Sequence, residues 1–163
     1  MNNKVKHMLI GIALVILGVA IDQITKLIAL NNLKGKGSIK VIKNFISLNY
    51  TENNGAAWGI FSGKMWLLYI ITIIALGIFT YMLKDFDLKK NTVYSLAMVL
   101  IITGTFGNFI DRLFRKYVVD FIEMDFFFYK DFPIFNVADI CLTVGVALLL
   151  FDVLFGKSQH LLK

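Results

Sequence analysis

Four stretches of the chain are almost unbroken in apolar residues, over positions 8–30, 66–83, 92–110 and 133–155, and the polar residues gather between them. A hydrocarbon core about 30 Å thick is crossed by about 20 helical residues rising 1.5 Å each, so the pattern predicts four transmembrane helices. The polar loop 84–91 is short enough to make the second and third an antiparallel hairpin. Pro133 opens the fourth run, where a missing N–H costs least and a helix is expected to begin. The first run follows Lys4 and Lys6 as a secretory leader would. It is longer than a leader's apolar core and no small-x-small cleavage site ends it, so it is read as a spanning helix. Four spans put both termini on one side of the membrane.

The segments between the runs have patterns of their own. Residues 31–64 carry Lys34, Lys36, Lys40, Lys43 and Lys64 against the single acid Glu52. Alternation in Val41-Ile42 and from Phe45 to Tyr50 predicts a small β element over about residues 40–62. Asn54-Gly55 is a turn signal and by itself means a hairpin. The small Ala56 and Ala57 that follow, beside Trp58, fit a second reading, a sheet that cradles an extended peptide by strand addition. Residues 123–131 alternate acids with Met124, Phe126, Phe127, Phe128 and Tyr129, so an amphipathic interfacial segment is expected over about 121–132, compatible with a lid. The fold class is a membrane all-α, four-helix bundle with a small extracytoplasmic β element and an interfacial segment. With Pro133 the only proline and no linker or repeat, residues 1–163 read as one domain.

Composition adds exclusions. At 58% hydrophobic residues the chain is too apolar for a soluble domain of its length. The net charge of +6 sits in short segments between spans, so lipid headgroups rather than nucleic acid are the expected counterions. The termini and the 84–91 loop hold seven Lys or Arg and the two other loops hold nine, a balance that leaves orientation open. Cys141 is the only cysteine, which excludes an intrachain disulfide and a cysteine-based metal framework and leaves it as a small apolar helix residue.

The chemistry must come from acids at the membrane borders, because an ionised carboxylate there is costly unless it is paired or used. Asp22 and Lys26 lie four apart on one helix face. Asn108, Asp111 and Arg112 share a face at helical spacing, as do Asn136 and Asp139, and these faces are expected to meet inside the bundle. The only histidines, His7 and His160, are in the tails, which rules out a Ser-His-Asp set. No HExxH and no phosphate-cradling loop is present. Two aspartates in a partly dry site share one proton, which is aspartic-protease chemistry, and Asp120 and Asp139 are the candidates. Asp22 and Asp111 have the bases Lys26 and Arg112 near them in sequence and are expected to be ionised and structural. The chain has neither an Asp-Thr-Gly nor a Gly-x-Gly-Asp signature. A small proton-coupled carrier would use the same acids as a relay, and a membrane scaffold would leave them without a use.

Taken in order, Asp22 with Lys26, Asn53-x-Gly55-Ala56-Ala57, Gly107-Asn108-x-x-Asp111-Arg112, Val118-Val119-Asp120-Phe121 and Phe135-Asn136-x-Ala138-Asp139 resemble the motifs of the lipoprotein signal peptidases, or signal peptidase II. The resemblance implies a bacterial inner-membrane aspartyl endopeptidase, multi-pass, with both termini cytoplasmic and its site at the outer leaflet. Such a hydrolase cuts a prolipoprotein leader before a cysteine that carries diacylglycerol. By position it implies Asp120 and Asp139 as the catalytic pair, Asn53, Gly55, Asn108, Arg112 and Asn136 as site-lining residues, and Asp22, Lys26 and Asp111 as supporting charges. The implied partners are diacylglyceryl-prolipoproteins and membrane lipids, with no nucleic acid, no metal and no organic cofactor, and the chain is expected to act as a monomer. Two positions depart from the family pattern. Lys116 stands where glycine is usual, which bears on the turn before Asp120, and Trp58 stands where phenylalanine is common.

Overall fold

The structure, a computed structural model, describes residues 3–56, 60–83, 86–125 and 132–156. It contains the helices α1 (Asn3–Leu33), α2 (Met65–Met82), α3 (Thr92–Arg115) and α4 (Val137–Phe155). All four are long and apolar enough to cross a membrane. A three-stranded antiparallel sheet, β1 (Ile39–Ile42), β2 (Ile46–Asn53) and β3 (Val118–Met124), lies in the order β1-β2-β3.

The bundle is built around α3. In its most apolar stretch 61% of α3 is buried, whereas α1, α2 and α4 bury between 6% and 17% and turn the rest outward. Lipid tails are as apolar as leucine, so helices associate in a membrane by close packing at small residues rather than by hiding from solvent. Gly104 marks such a contact, because a Cβ there would lie 2.3 Å from the backbone oxygen of Ala138 on α4.

Helix α1 extends beyond the expected 8–30 at both ends, and three further boundaries differ from the sequence expectation, each for a local reason. Helix α4 begins at Val137 rather than at Pro133, with Asn136 as its N-cap. Asn136 Oδ1 accepts from the Asp139 N–H at 3.0 Å and Asp139 Oδ2 accepts from the Asn136 N–H at 3.1 Å. This capping box satisfies two donors that a proline start would leave open. Helix α3 runs five residues past position 110 to Arg115, carried by the Asp111–Arg115 pair at i,i+4. The sheet is larger than a 40–62 element, because its third strand comes from beyond α3.

That third strand occupies the start of the expected interfacial segment. Val118, Val119, Phe121 and Ile122 are strand-forming residues. Partners are at hand in β2, where Thr51 lies opposite Asp120 and Asn53 opposite Val118. Residues 126–131, with the Phe126–Tyr129 run, lie outside the described residues, as does Trp58. The turn between β1 and β2 is not at Asn54-Gly55. It is the three-residue loop 43–45, in which Asn44 is left-handed (φ 56°) and the Phe45 N–H donates to the Ile42 carbonyl at 3.0 Å.

Lys116 ends α3 in the left-handed region, with φ 68°. Glycine takes this conformation freely, whereas an L side chain crowds the following carbonyl there. Lys116→Gly is therefore expected to raise stability by about 0.5–1 kcal/mol in thermal unfolding in lipid or detergent. An unchanged or lower stability would show that the turn before β3 is not strained.

Candidate active site

The base of the site is an ion cluster with no contact to water. Lys26 is fully buried, and its Nζ lies 2.9 Å from Asp22 Oδ2, 3.2 Å from Asp111 Oδ2 and 2.9 Å from Asn108 Oδ1. An ammonium has three donors, and all three are taken. A buried charge is tolerable only when it is both paired and hydrogen-bonded, and here two carboxylates and an amide oxygen meet that need. Asp22 faces α3 at a position without a side chain, since a Cβ at Gly107 would lie 2.5 Å from Asp22 Oδ2.

Each of these two carboxylates also holds a backbone N–H. Asp22 Oδ1 accepts from Ala138 at 2.9 Å, and Asp111 Oδ2 accepts from Val119 at 3.0 Å. Ala138 precedes Asp139, and Val119 precedes Asp120. The lysine thus fixes, through one intermediary each, the backbone beside both candidate catalytic residues.

The carboxyls of Asp120 and Asp139 are oriented by three asparagines. Asn108 Oδ1 accepts from Lys26 and from Asn136 Nδ2 (3.1 Å), which turns its Nδ2 onto Asp139 Oδ1 at 2.7 Å. Asn136 Nδ2 donates to Asp120 Oδ1 at 2.6 Å, and the Asn136 backbone N–H donates to Asp139 Oδ2, so one residue holds both acids. Asn53 Nδ2 donates to Asp120 Oδ2 at 3.0 Å, while its Oδ1 accepts from the Gly55 N–H at 2.9 Å. Asn54-Gly55 therefore serves to fix an asparagine amide rather than to turn a hairpin.

Both acids line a cavity of about 660 Å³ whose rim also includes Asn53, Asn108 and Arg112. Away from the acids its wall is apolar, with Ile71, Ala75 and Phe79 from α2 facing Leu142 and Val144 from α4. Asp120 lies on β3, outside the spans. Burial, and then the neighbouring charge of Asp139, push its carboxyl from the ordinary 3.8 up to about 7. A carboxyl that keeps its proton near neutrality, beside a second carboxyl on the same cavity, can donate to a carbonyl while its partner accepts from water.

The ten residues assigned to the site from the sequence, Asp22, Lys26, Asn53, Gly55, Asn108, Asp111, Arg112, Asp120, Asn136 and Asp139, lie in this assembly, but one pairing differs. Arg112 is not the partner of Asp111. Asp111 pairs with Lys26 and Arg115, whereas Arg112 donates to the Gly55 carbonyl at 2.9 Å and to the Asn108 carbonyl. Helical spacing sets Asp111 and Arg112 about 100° apart, enough for one to face α1 and the other the cavity. Sequence reasoning also passed over Gln23, Arg115 and Tyr69. Gln23 Nε2 reaches Asp22, Asp111 and the Gly107 carbonyl, and Gln23 Oε1 accepts from Arg115 at 3.1 Å. A glutamine inside an apolar span and an arginine four after an aspartate were signals for the first two. Tyr69, whose hydroxyl donates to the Arg112 carbonyl at 2.6 Å, is one aromatic among many and gave none.

Paired carboxyls opening on one cavity at the end of a helical membrane bundle define the class as an aspartic hydrolase of the membrane. A family model described as "Signal peptidase (SPase) II" matches residues 14–155. The lipoprotein signal peptidase of Clostridium acetobutylicum is 44% identical over 142 residues, covering 85% of this chain and 89% of that one. That of Lactiplantibacillus plantarum is 44% identical over 152 residues, covering 93% and 96%. A solved structure described as a bacterial membrane enzyme studied by the in meso method aligns with a TM-score of 0.82 at 42% identity, over 91% of this chain and 90% of that one. The chain belongs to the signal peptidase II family, the aspartic peptidases of family A8.

Removing the central ammonium tests the cluster. Lys26→Met keeps the length of the side chain but leaves Asp22 and Asp111 without their shared base. It is expected to cost about 3–5 kcal/mol in unfolding measurements in lipid. A loss below about 1 kcal/mol would show that the cluster does not hold the helices together.

Proposed function

We propose that Asp120 and Asp139 are the catalytic pair, with Asp120 carrying the shared proton and Asp139 taking one from water. The enzyme is a lipoprotein signal peptidase, which cleaves the signal peptides of prolipoproteins. The observation that carries the assignment is the double hold of Asn136 on both carboxyls at the wall of one cavity.

In the proposed cycle a water between the acids gives its proton to the Asp139 carboxylate while its oxygen adds to the scissile carbonyl carbon. The carbonyl oxygen takes the proton of Asp120, and a tetrahedral diol results. Collapse of the diol breaks the C–N bond. Asp139 passes its proton to the leaving amine, and a diol hydroxyl returns one to Asp120. The bond cut is the one before a cysteine carrying diacylglycerol. The apolar wall between α2 and α4 suits acyl chains or an apolar leader, which keep apolar surroundings as they pass from lipid onto it. Arg112 brings a guanidinium to the wall of this cavity beside the two acids. The chain works as a single domain and a monomer, with the carboxyl pair at the outer leaflet and both termini in the cytoplasm. What supports placing the termini and the pair on opposite sides of the membrane is that α1 starts, and α4 ends, at the end of the bundle away from the pair. A proton carrier fits less well, because Asp22, Asp111, Asp120 and Asp139 gather at one end of the bundle rather than along it.

Single-turnover cleavage of a lipidated peptide tests the pair. Asp120→Asn and Asp139→Asn are each expected to lose about 10²–10⁴-fold, with the double variant scarcely worse, because the two act as a unit. The native rate should decline as pH rises through about 7, where Asp120 gives up its proton. The stability contribution of Asp120 has the same sign. Its carboxyl is raised from 3.8 to about 7, so the folded state holds a proton that the unfolded chain has released, and stability falls as pH rises across that window. Near-normal cleavage by either single variant would overturn the assignment.

A further inference from the structure

The β1–β2 hairpin leaves a surface that the catalytic reading does not use. Every residue from 34 to 45 is exposed. Ile39, Val41, Ile42 and Phe45 show between 41% and 58% of their surface. Exposed apolar residues on the spans are covered by lipid tails, but this hairpin begins only six residues after α1 ends at Leu33, at the level of the headgroups. Between positions 34 and 46 its charges are all of one sign. Lys34 is committed to Glu52 at 2.7 Å, while Lys36, Lys40 and Lys43 have no ion-pair partner among the described residues, and no acid lies between positions 34 and 46. β1 is also an edge strand of the sheet.

In water an apolar edge strand invites aggregation. At an anionic bilayer surface the same pattern is satisfied on both counts, with the apolar side chains at the acyl boundary and the ammonium groups on phosphates. We infer that the β1–β2 hairpin docks on anionic phospholipid headgroups and thereby sets how the sheet that carries Asp120 seats on the bilayer. The mechanical link is the sheet itself, since Ile39 pairs with Leu48 on β2 and Thr51 of β2 pairs with Asp120 on β3. The connection from α1 passes through Gly35 and Gly37, both left-handed with open space around them, while the sheet packs on Ala29 and Leu33 of α1 through Leu48, Tyr50, Val119 and Phe121, so the hairpin is carried rigidly by the bundle. Three free lysines at about fivefold each give on the order of 10²-fold preference for an anionic over a neutral surface.

The test uses the full-length enzyme in vesicles of phosphatidylcholine alone or of equimolar phosphatidylcholine and phosphatidylglycerol. A nitroxide on Val41→Cys, in a Cys141→Ser background, reports depth against water-borne and lipid-borne relaxants. The label is expected at the acyl boundary in the anionic vesicles and shallower in the neutral ones. The combined Lys36→Gln, Lys40→Gln and Lys43→Gln variant should erase that difference. In the same anionic vesicles it should raise KM for a lipidated peptide several-fold, with cleavage in detergent unchanged. A label that stays in water in both lipids overturns the inference. So does one shielded only when substrate peptide is added, which would mean strand addition at β1, or only at high protein density, which would mean self-association. The rate arm rests on the proposed peptidase reading. The depth arm does not involve cleavage, so failure of one is distinguishable from failure of the other.

Discussion

The structure depends on one ammonium that never meets water. Lys26 is surrounded by Asp22, Asp111 and Asn108, one acceptor for each of its protons. Its two acids grip the backbone ahead of Asp139 and ahead of Asp120, and its amide partner turns toward Asp139. Three helices and a strand are thereby set relative to one another by charge-assisted hydrogen bonds, which is how a bundle gains geometric specificity where the hydrophobic effect supplies none. Arg115 beside Asp111 brings a second positive charge against the two carboxylates, so the cluster is balanced. The charges left over at the cavity are those of the Asp120–Asp139 pair and of Arg112.

The upper pair joins two kinds of element. Asp139 is in the first turn of a spanning helix, where an acid suits the helix's positive end, and Asp120 is on a strand of a sheet outside the four long helices. A helix gives a fixed depth, and a strand lets the chain on either side of the acid reach past the bundle. Asn136 lies between them and bonds to both. Because the asparagine amides are each fixed at a second atom, the carboxyls are held before any substrate arrives, which is the preorganisation that acid–base catalysis needs. The hairpin at the far side of the same sheet carries this arrangement to the lipid surface.

The four spans were legible in the chain because a span is long and its pattern dense. Asp22 with Lys26 was legible as an i,i+4 pair, and Asn136 with Asp139 as an i,i+3 pair. Helix phase decided what was misread. Adjacent residues 111 and 112 look like an ion pair on paper, yet their side chains leave α3 toward different neighbours. β3 was hidden because its pairing partner lies some seventy residues earlier, and a short run such as Val118-Val119-Asp120-Phe121 does not announce a strand without it. The start of α4 was misplaced because Pro133 is a visible signal, whereas the capping box is known only once Asn136 and Asp139 are seen to bond each other. Lys116 was flagged as a departure from glycine, and its left-handed backbone gives that departure a physical meaning.

The central claim is that the Asp120–Asp139 pair retains one proton near neutrality, with Asp120 as its holder. Infrared spectroscopy of the enzyme in lipid, with isotope-labelled aspartate, observes that proton directly as the band of a protonated carboxyl. The band is predicted below neutral pH, fading as pH rises through about 7, and missing in Asp120→Asn. Its absence from the native enzyme below neutral pH, or its persistence in Asp120→Asn, would contradict the account.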